Sequence, residues 1–197
     1  MLMKKALTTF AMAAVVAVSA GTLFSSCNAV KDAVPSQTVS FDGASADVVI
    51  PPTSDTTAKG NLATATFRYN IDSLIKDKTG GALGAGNIKS VKIASVSLSI
   101  SDIDQNNSFA NFQYASFTFN TDVTPGSSPY DVASIDNNPN VYAATLDLPL
   151  QSPNTDVKQY FGNNAQFTYA LIAKLRRAIT KSLHCHIDIK YNIEVKG

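Results

Sequence analysis

Three groups of residues in this chain have types and spacings that could do chemistry. The first is His184-Cys185-His186, which contains the only two histidines among 197 residues. On an extended strand successive side chains point to opposite faces, so His184, His186 and Asp188 share one face, a geometry able to hold Zn or Cu. The same alternation turns Cys185 to the other face, where a thiol behaves as a small buried hydrophobe and has no neighbouring base to activate it. The second group is the run from Asp102 to Asn107, in which Asp102, Asp104 and Asn106 place oxygen atoms at alternate positions like the opening of a calcium loop. It lacks the glycine of the sixth place, where Asn107 stands, and the glutamate of the twelfth, where Gln113 stands, and an Asx-rich hairpin turn explains the same letters. The third group is a candidate binding surface. Tyr114, Tyr130 and Tyr160 fall near loops and could form a platform for sugar rings, whereas Tyr69, Tyr169 and Tyr191 fall in phase with core positions.

Charge is distributed unevenly. Between Ile93 and Val157 there are seven Asp and no Lys or Arg, while the segment 174–181, KLRRAITK, carries Lys174, Arg176, Arg177 and Lys181. Basic residues at a sheet edge guard against edge-to-edge pairing; the functional reading of Arg176 and Arg177 is contact with anionic headgroups or acidic polysaccharide. A formal net charge of +1, from 16 basic and 15 acidic residues, supplies no basic field of the kind nucleic-acid binding requires, and no nucleic-acid partner is expected. The glycine-rich segment 79–86 follows a helix-like stub and leads into a strand, which is the reverse of a phosphate-cradling loop. No cofactor motif is recognised and no cofactor is expected.

The elements that must position these groups are strands. From Leu183 to Val195 apolar and polar residues alternate without a break, the pattern of a strand with one buried and one solvated face. Shorter alternating runs occur at 38–41, 47–50, 62–69, 90–101, 115–121, 141–148 and 166–174. Within 90–101 the apolar phase slips, which predicts a bulge near Ala94 or Ser95. Two brief helices are expected, at 71–76 and at 155–161 with Thr155 as N-cap. These features predict an all-β fold: an antiparallel β-sandwich of about eight or nine strands with Greek-key or jelly-roll connections and one or two short helices. A closed barrel is the alternative.

The first 26 residues stand apart. Lys4 and Lys5 precede an apolar stretch from Ala6 to Ala20, which is shorter than the roughly twenty residues of a membrane-spanning helix and reads as an export signal, helical where ordered. The run Leu23-Phe24-Ser25-Ser26-Cys27 resembles a relaxed lipobox of the kind found in Bacteroidota-type envelope lipoproteins, with Phe24 and Ser26 departing from the commoner residues. That resemblance implies removal of residues 1–26, lipidation of Cys27, a tether over 27–36 and one sandwich domain over 37–197. It further implies attachment to the outer membrane through an acyl anchor, since Asn28 is not the Asp of inner-membrane retention, on the periplasmic or the cell-surface side. Cleavage after Ala20 would instead give a soluble periplasmic protein. Loss of Lys4 and Lys5 leaves 14 basic against 15 acidic residues. The expected function is non-enzymatic binding or scaffolding, with a glycan or an envelope protein as partner. A small hydrolase acting on envelope or dietary polymer, or a pilus or matrix subunit, are the alternatives.

Overall fold

The computed structural model describes residues 35–197, in which eight strands form two four-stranded antiparallel sheets. The strands are β1 (Gln37–Ile50), β2 (Gly60–Tyr69), β3 (Ile88–Ile100), β4 (Phe112–Thr121), β5 (Tyr130–Ile135), β6 (Thr145–Asp147), β7 (Ala165–Leu175) and β8 (Leu183–Val195). One sheet runs β1-β8-β3-β6 and the other β2-β7-β4-β5. The pairs β1·β8, β2·β7, β3·β6 and β4·β5 are the rungs of one long antiparallel hairpin, and the pairs β3·β8 and β4·β7 roll that hairpin up. This is the jelly-roll form of the expected sandwich, and no barrel closes.

Alternation decides the faces. Leu183, Cys185, Ile187, Ile189, Tyr191, Ile193 and Val195 of β8 are all buried, as expected, and β7 repeats the pattern through Phe167, Tyr169, Leu171 and Leu175. Between the sheets lies an aromatic layer in which Phe119 contacts Tyr130, Tyr160, Phe167 and Tyr169 at ring separations of 5.2–5.9 Å. The hydroxyls of Tyr169 and Tyr191 meet across the layer at 2.8 Å. Burial raises the pKa of both phenols, which stay neutral and act as a polar clasp inside an apolar core.

Several expected boundaries shift for identifiable reasons. The runs 38–41 and 47–50 are one strand, because a register shift between Asp42 and Ser45 moves the buried phase from Val39 and Phe41 to Ala46, Val48 and Ile50. The bulge expected near Ala94 or Ser95 is present between Ile93 and Ser95. Strand β5 was not expected. Its register shift buries the adjacent residues Val132 and Ala133 and so erases the period of two. The strand expected at 141–148 shrinks to Thr145–Asp147, and Val141 and Tyr142 stand exposed. The helix α1 (Ile71–Lys78) is capped by Asn70, whose side chain accepts from Ser73 N at 3.0 Å. The glycine-rich segment ends it, with Gly80 and Gly81 at φ of 62° and 83°, a left-handed backbone that favours glycine. The expected helix at 155–161 is a single 3-10 turn, Lys158–Tyr160, and Thr155 does not cap it. Asp156 Oδ1 accepts there from both Lys158 N and Val91 N at 2.9 Å.

Candidate functional site

The links β1–β2, β3–β4, β5–β6 and β7–β8 gather at one end of the sandwich, opposite the end where Gln37 pairs with Val195. Side-chain amides lock these loops together. Asn111 is fully buried, and its Nδ2 donates to Asn106 O at 2.7 Å and to Ala178 O at 2.8 Å while Oδ1 accepts from Ser108 N at 3.3 Å. Asn138 Nδ2 donates to Phe109 O and Phe112 O, and Asn107 Oδ1 accepts from Thr180 N at 2.8 Å. Backbone groups that leave the sheets at this end thereby keep partners without water.

The residues singled out from the sequence meet different fates here. Asp104 accepts from Asn106 N at 2.8 Å and from Asn107 Nδ2, and forms an ion pair with Lys181 Nζ at 2.9 Å. Its carboxyl is held down to about 2, chiefly by the Lys181 ammonium. Asp102 accepts from the backbone N–H of His184 at 3.0 Å, which holds its own carboxyl below the usual range. Arg176 donates to Ala110 O at 3.0 Å and to Asn138 O at 2.7 Å, and Arg177 to Asn140 Oδ1 at 3.0 Å. The basic segment is thus wired into the loop end, at the far end of β1 from Gln37, and Lys181 and Arg176 are engaged internally.

The three tyrosines do not share one platform. Tyr130 and Tyr160 pack on Phe119 at the rim of the core. Tyr114 lies on the outer face of the β2-β7-β4-β5 sheet beneath the ammonium of Lys59, 3.3 Å from the ring centroid. There it lines a polar depression of about 210 Å³ with Lys59, Ser116, Asp131, Ser134, Asp136 and Gln151. The sequence reading missed all of these except Tyr114, because no local spacing links residues drawn from four separate segments.

On the outer face of the other sheet, β8 presents His184, His186 and Asp188 as the alternation predicts. The register brings Asp47 of β1 and Ser99 of β3 opposite His186, while Ser45 and Ser97 flank the half-buried Asp188. His186 Nδ1 donates to Asp47 Oδ1 at 2.8 Å, and His184 Nδ1 donates to Asp102 Oδ2 at 3.2 Å. Both imidazoles line an open depression of about 400 Å³ with Asp47, Ser99, Ile100 and Ser101. Among the described residues no group of three or more His, Cys, Asp or Glu is placed to hold a metal ion. Cys185 faces inward, where burial pushes its thiol up to about 12, far from a nucleophilic thiolate.

The two lateral seams of the sandwich differ. Beside β6 the chain steps across to β5, where Ser134 N donates to Pro149 O and Gln151 N to Val132 O. On the opposite side the edge strands β1 and β2 flank an open depression of about 570 Å³ lined by residues 45–49 and 63–67. Cys27 and the signal segment lie outside the described residues. Among the described residues no helix is long and apolar enough to cross a membrane.

No family model matches the chain, and no curated protein matches it. A solved structure described as Desmodium yellow mottle tymovirus aligns over 83% of this chain and 90% of its own, at 8% identity and a TM-score of 0.29.

Proposed function

We propose that this chain is a lipid-anchored envelope lipoprotein whose jelly-roll domain acts by binding and not by catalysis. The observation that carries the reading is the export signal ending in the lipobox-like run Leu23-Phe24-Ser25-Ser26-Cys27, set eight residues ahead of the first described residue, Pro35. The chain enters the sandwich at Gln37, and β1 extends roughly 40 Å at about 3.3 Å per residue to the loop end. A tether at Cys27 therefore joins the sandwich at the end bearing α1, and the amide-locked loop end lies at the other end of β1. The polar depression beneath Lys59, with one aromatic ring, two carboxylates, two hydroxyls and an amide, has the side-chain chemistry that suits a polyhydroxylated ligand such as a glycan.

Replacing Cys27 with Ser tests the anchor. The variant moves from the detergent phase to the aqueous phase and loses incorporation of labelled palmitate; unchanged partition overturns the reading. A glycan array probed with wild type and with Tyr114→Ala tests the ligand class, with binding expected only for wild type. A second reading, a matrix subunit completed by a donated strand, is favoured by the open seam between β1 and β2. It requires multimers that an added strand peptide disperses.

A further inference from the structure

The His184–His186 face has a property that the spacing of the two histidines alone does not supply. Each ring is held by its own carboxylate: His186 Nδ1–H donates to Asp47 across the β1·β8 ladder, and His184 Nδ1–H donates to Asp102 at the end of β3. A carboxylate can only accept, so both neutral imidazoles are fixed in the tautomer that leaves Nε2 with its lone pair. That is the orientation in which protein imidazoles bind metals, with the second ring nitrogen bonded to a carboxylate. The two histidines are two residues apart on one strand, about 6.5 Å between Cα atoms, and they line the same depression. The tethers lie on opposite neighbours of β8, Asp47 on β1 and Asp102 just past β3. A shared ion with Nε2 bonds of about 2.0–2.1 Å therefore requires both rings to lean toward each other along β8 over the depression they line. Asp47, Asp102 and Asp188 add negative charge on or beside the same face.

From this arrangement we infer that the outer face of the β1-β8-β3-β6 sheet is a binding site for a divalent transition metal, with His184 and His186 as ligands through Nε2 and with Asp47 and Asp102 as positioning residues. Imidazole ligation selects Cu²⁺ and Zn²⁺ over Ca²⁺ or Mg²⁺, and in the general affinity order Cu²⁺ binds ahead of Zn²⁺. With two protein ligands among the described residues, the remaining coordination positions stay open to water or to a donor brought by a partner. The site thus suits capture or metal-bridged contact better than a closed structural role. The small side chains of Ser99 and Ser101 line the depression beside the two rings.

The test is titration of the full chain, purified in detergent and freed of metal, with Cu²⁺ and then with Zn²⁺ as competitor. One Cu²⁺ is expected per chain, with an electron paramagnetic resonance spectrum showing two coupled imidazole nitrogens, displaced by excess Zn²⁺ and not by Ca²⁺. His184→Ala and His186→Ala each lower the affinity at least tenfold, and the double variant abolishes this class of binding. Asp47→Asn and Asp102→Asn each weaken it by about 10–100-fold. His184, His186 and Asp47 are exposed, so their variants keep the melting temperature of the wild-type protein without metal, which separates loss of the site from loss of the fold. Asp102 also accepts from the backbone N–H of His184, so Asp102→Asn is compared with wild type at equal fraction folded. Absence of Cu²⁺ binding, binding unchanged in the double histidine variant, or a spectrum without imidazole nitrogens overturns the site. Indifference to both aspartate substitutions overturns the positioning roles.

Discussion

The middle of the sandwich and its loop end are held by different chemistry. In the middle, inward rings of β7 pack on those of β4, and Tyr169 of β7 meets Tyr191 of β8 across a layer that is mostly aromatic and aliphatic, where stability comes from apolar area and close packing. At the loop end the strands have finished and the buried residues include the polar Asn107, Ser108, Asn111 and Asn138, whose amides and hydroxyl bond to backbone of their own and neighbouring loops. The lesson is about what carries order beyond a sheet. Where the ladder stops, backbone groups still need partners, and a buried amide with two donors and an acceptor can serve three of them at once.

The contrast can be broken or sharpened by substitution. Phe119→Ala has the largest expected effect, a loss of about 3–5 kcal/mol in denaturant unfolding, because it opens a cavity among four rings. Asn111→Ala follows at about 2 kcal/mol, since Asn106 O, Ala178 O and Ser108 N all lose a buried partner. If Asn111→Ala costs no more than an ordinary surface change, the loop end is not held by its amides. Tyr191→Phe keeps the ring and removes only the bond to Tyr169, so about 1 kcal/mol is expected; a loss as large as that of Phe119→Ala would mean the core depends on its polar clasp.

The smallest effect is the ion pair between Asp104 and Lys181. The folded-state pKa of Asp104 lies below its unfolded value of 3.8, at about 2, so its contribution is present above that value and is lost as pH falls toward 2. Lys181 is shifted upward from 10.5 by the same partner, so its contribution is lost as pH rises past that value. The melting-temperature difference between wild type and Asp104→Asn should therefore persist between about pH 4 and pH 10, narrow below pH 4 and shrink in salt. A difference that stays constant down to pH 2 would show that the turn geometry of Asp104, and not its charge, fastens the loops.

Strands β7 and β8 were legible to within a residue or two, because their alternation is unbroken. Strand β5 was not, since adjacent buried residues Val132 and Ala133 at a bulge look like neither strand nor helix. Among the candidate residues, the shared outward face of His184 and His186 was legible and their partners were not. In the sequence Asp102 groups with Asp104 as a calcium-loop oxygen, while Asp47 carries no mark. The tyrosines show the same limit from the other side. Tyr114 and Tyr130 are close along the chain but occupy opposite surfaces of one sheet.

The sequence by itself determined which residues alternate, and therefore the all-β class and the buried face of each long strand, because a period of two is a property of neighbouring residues. Only the tertiary structure decided the jelly-roll order, the separation of the basic segment from the end where the chain enters, and the placing of Asp47 against His186, 139 residues apart in the chain. Those follow from strand pairing, and register is set by how two distant segments bury their faces together, which no local pattern records.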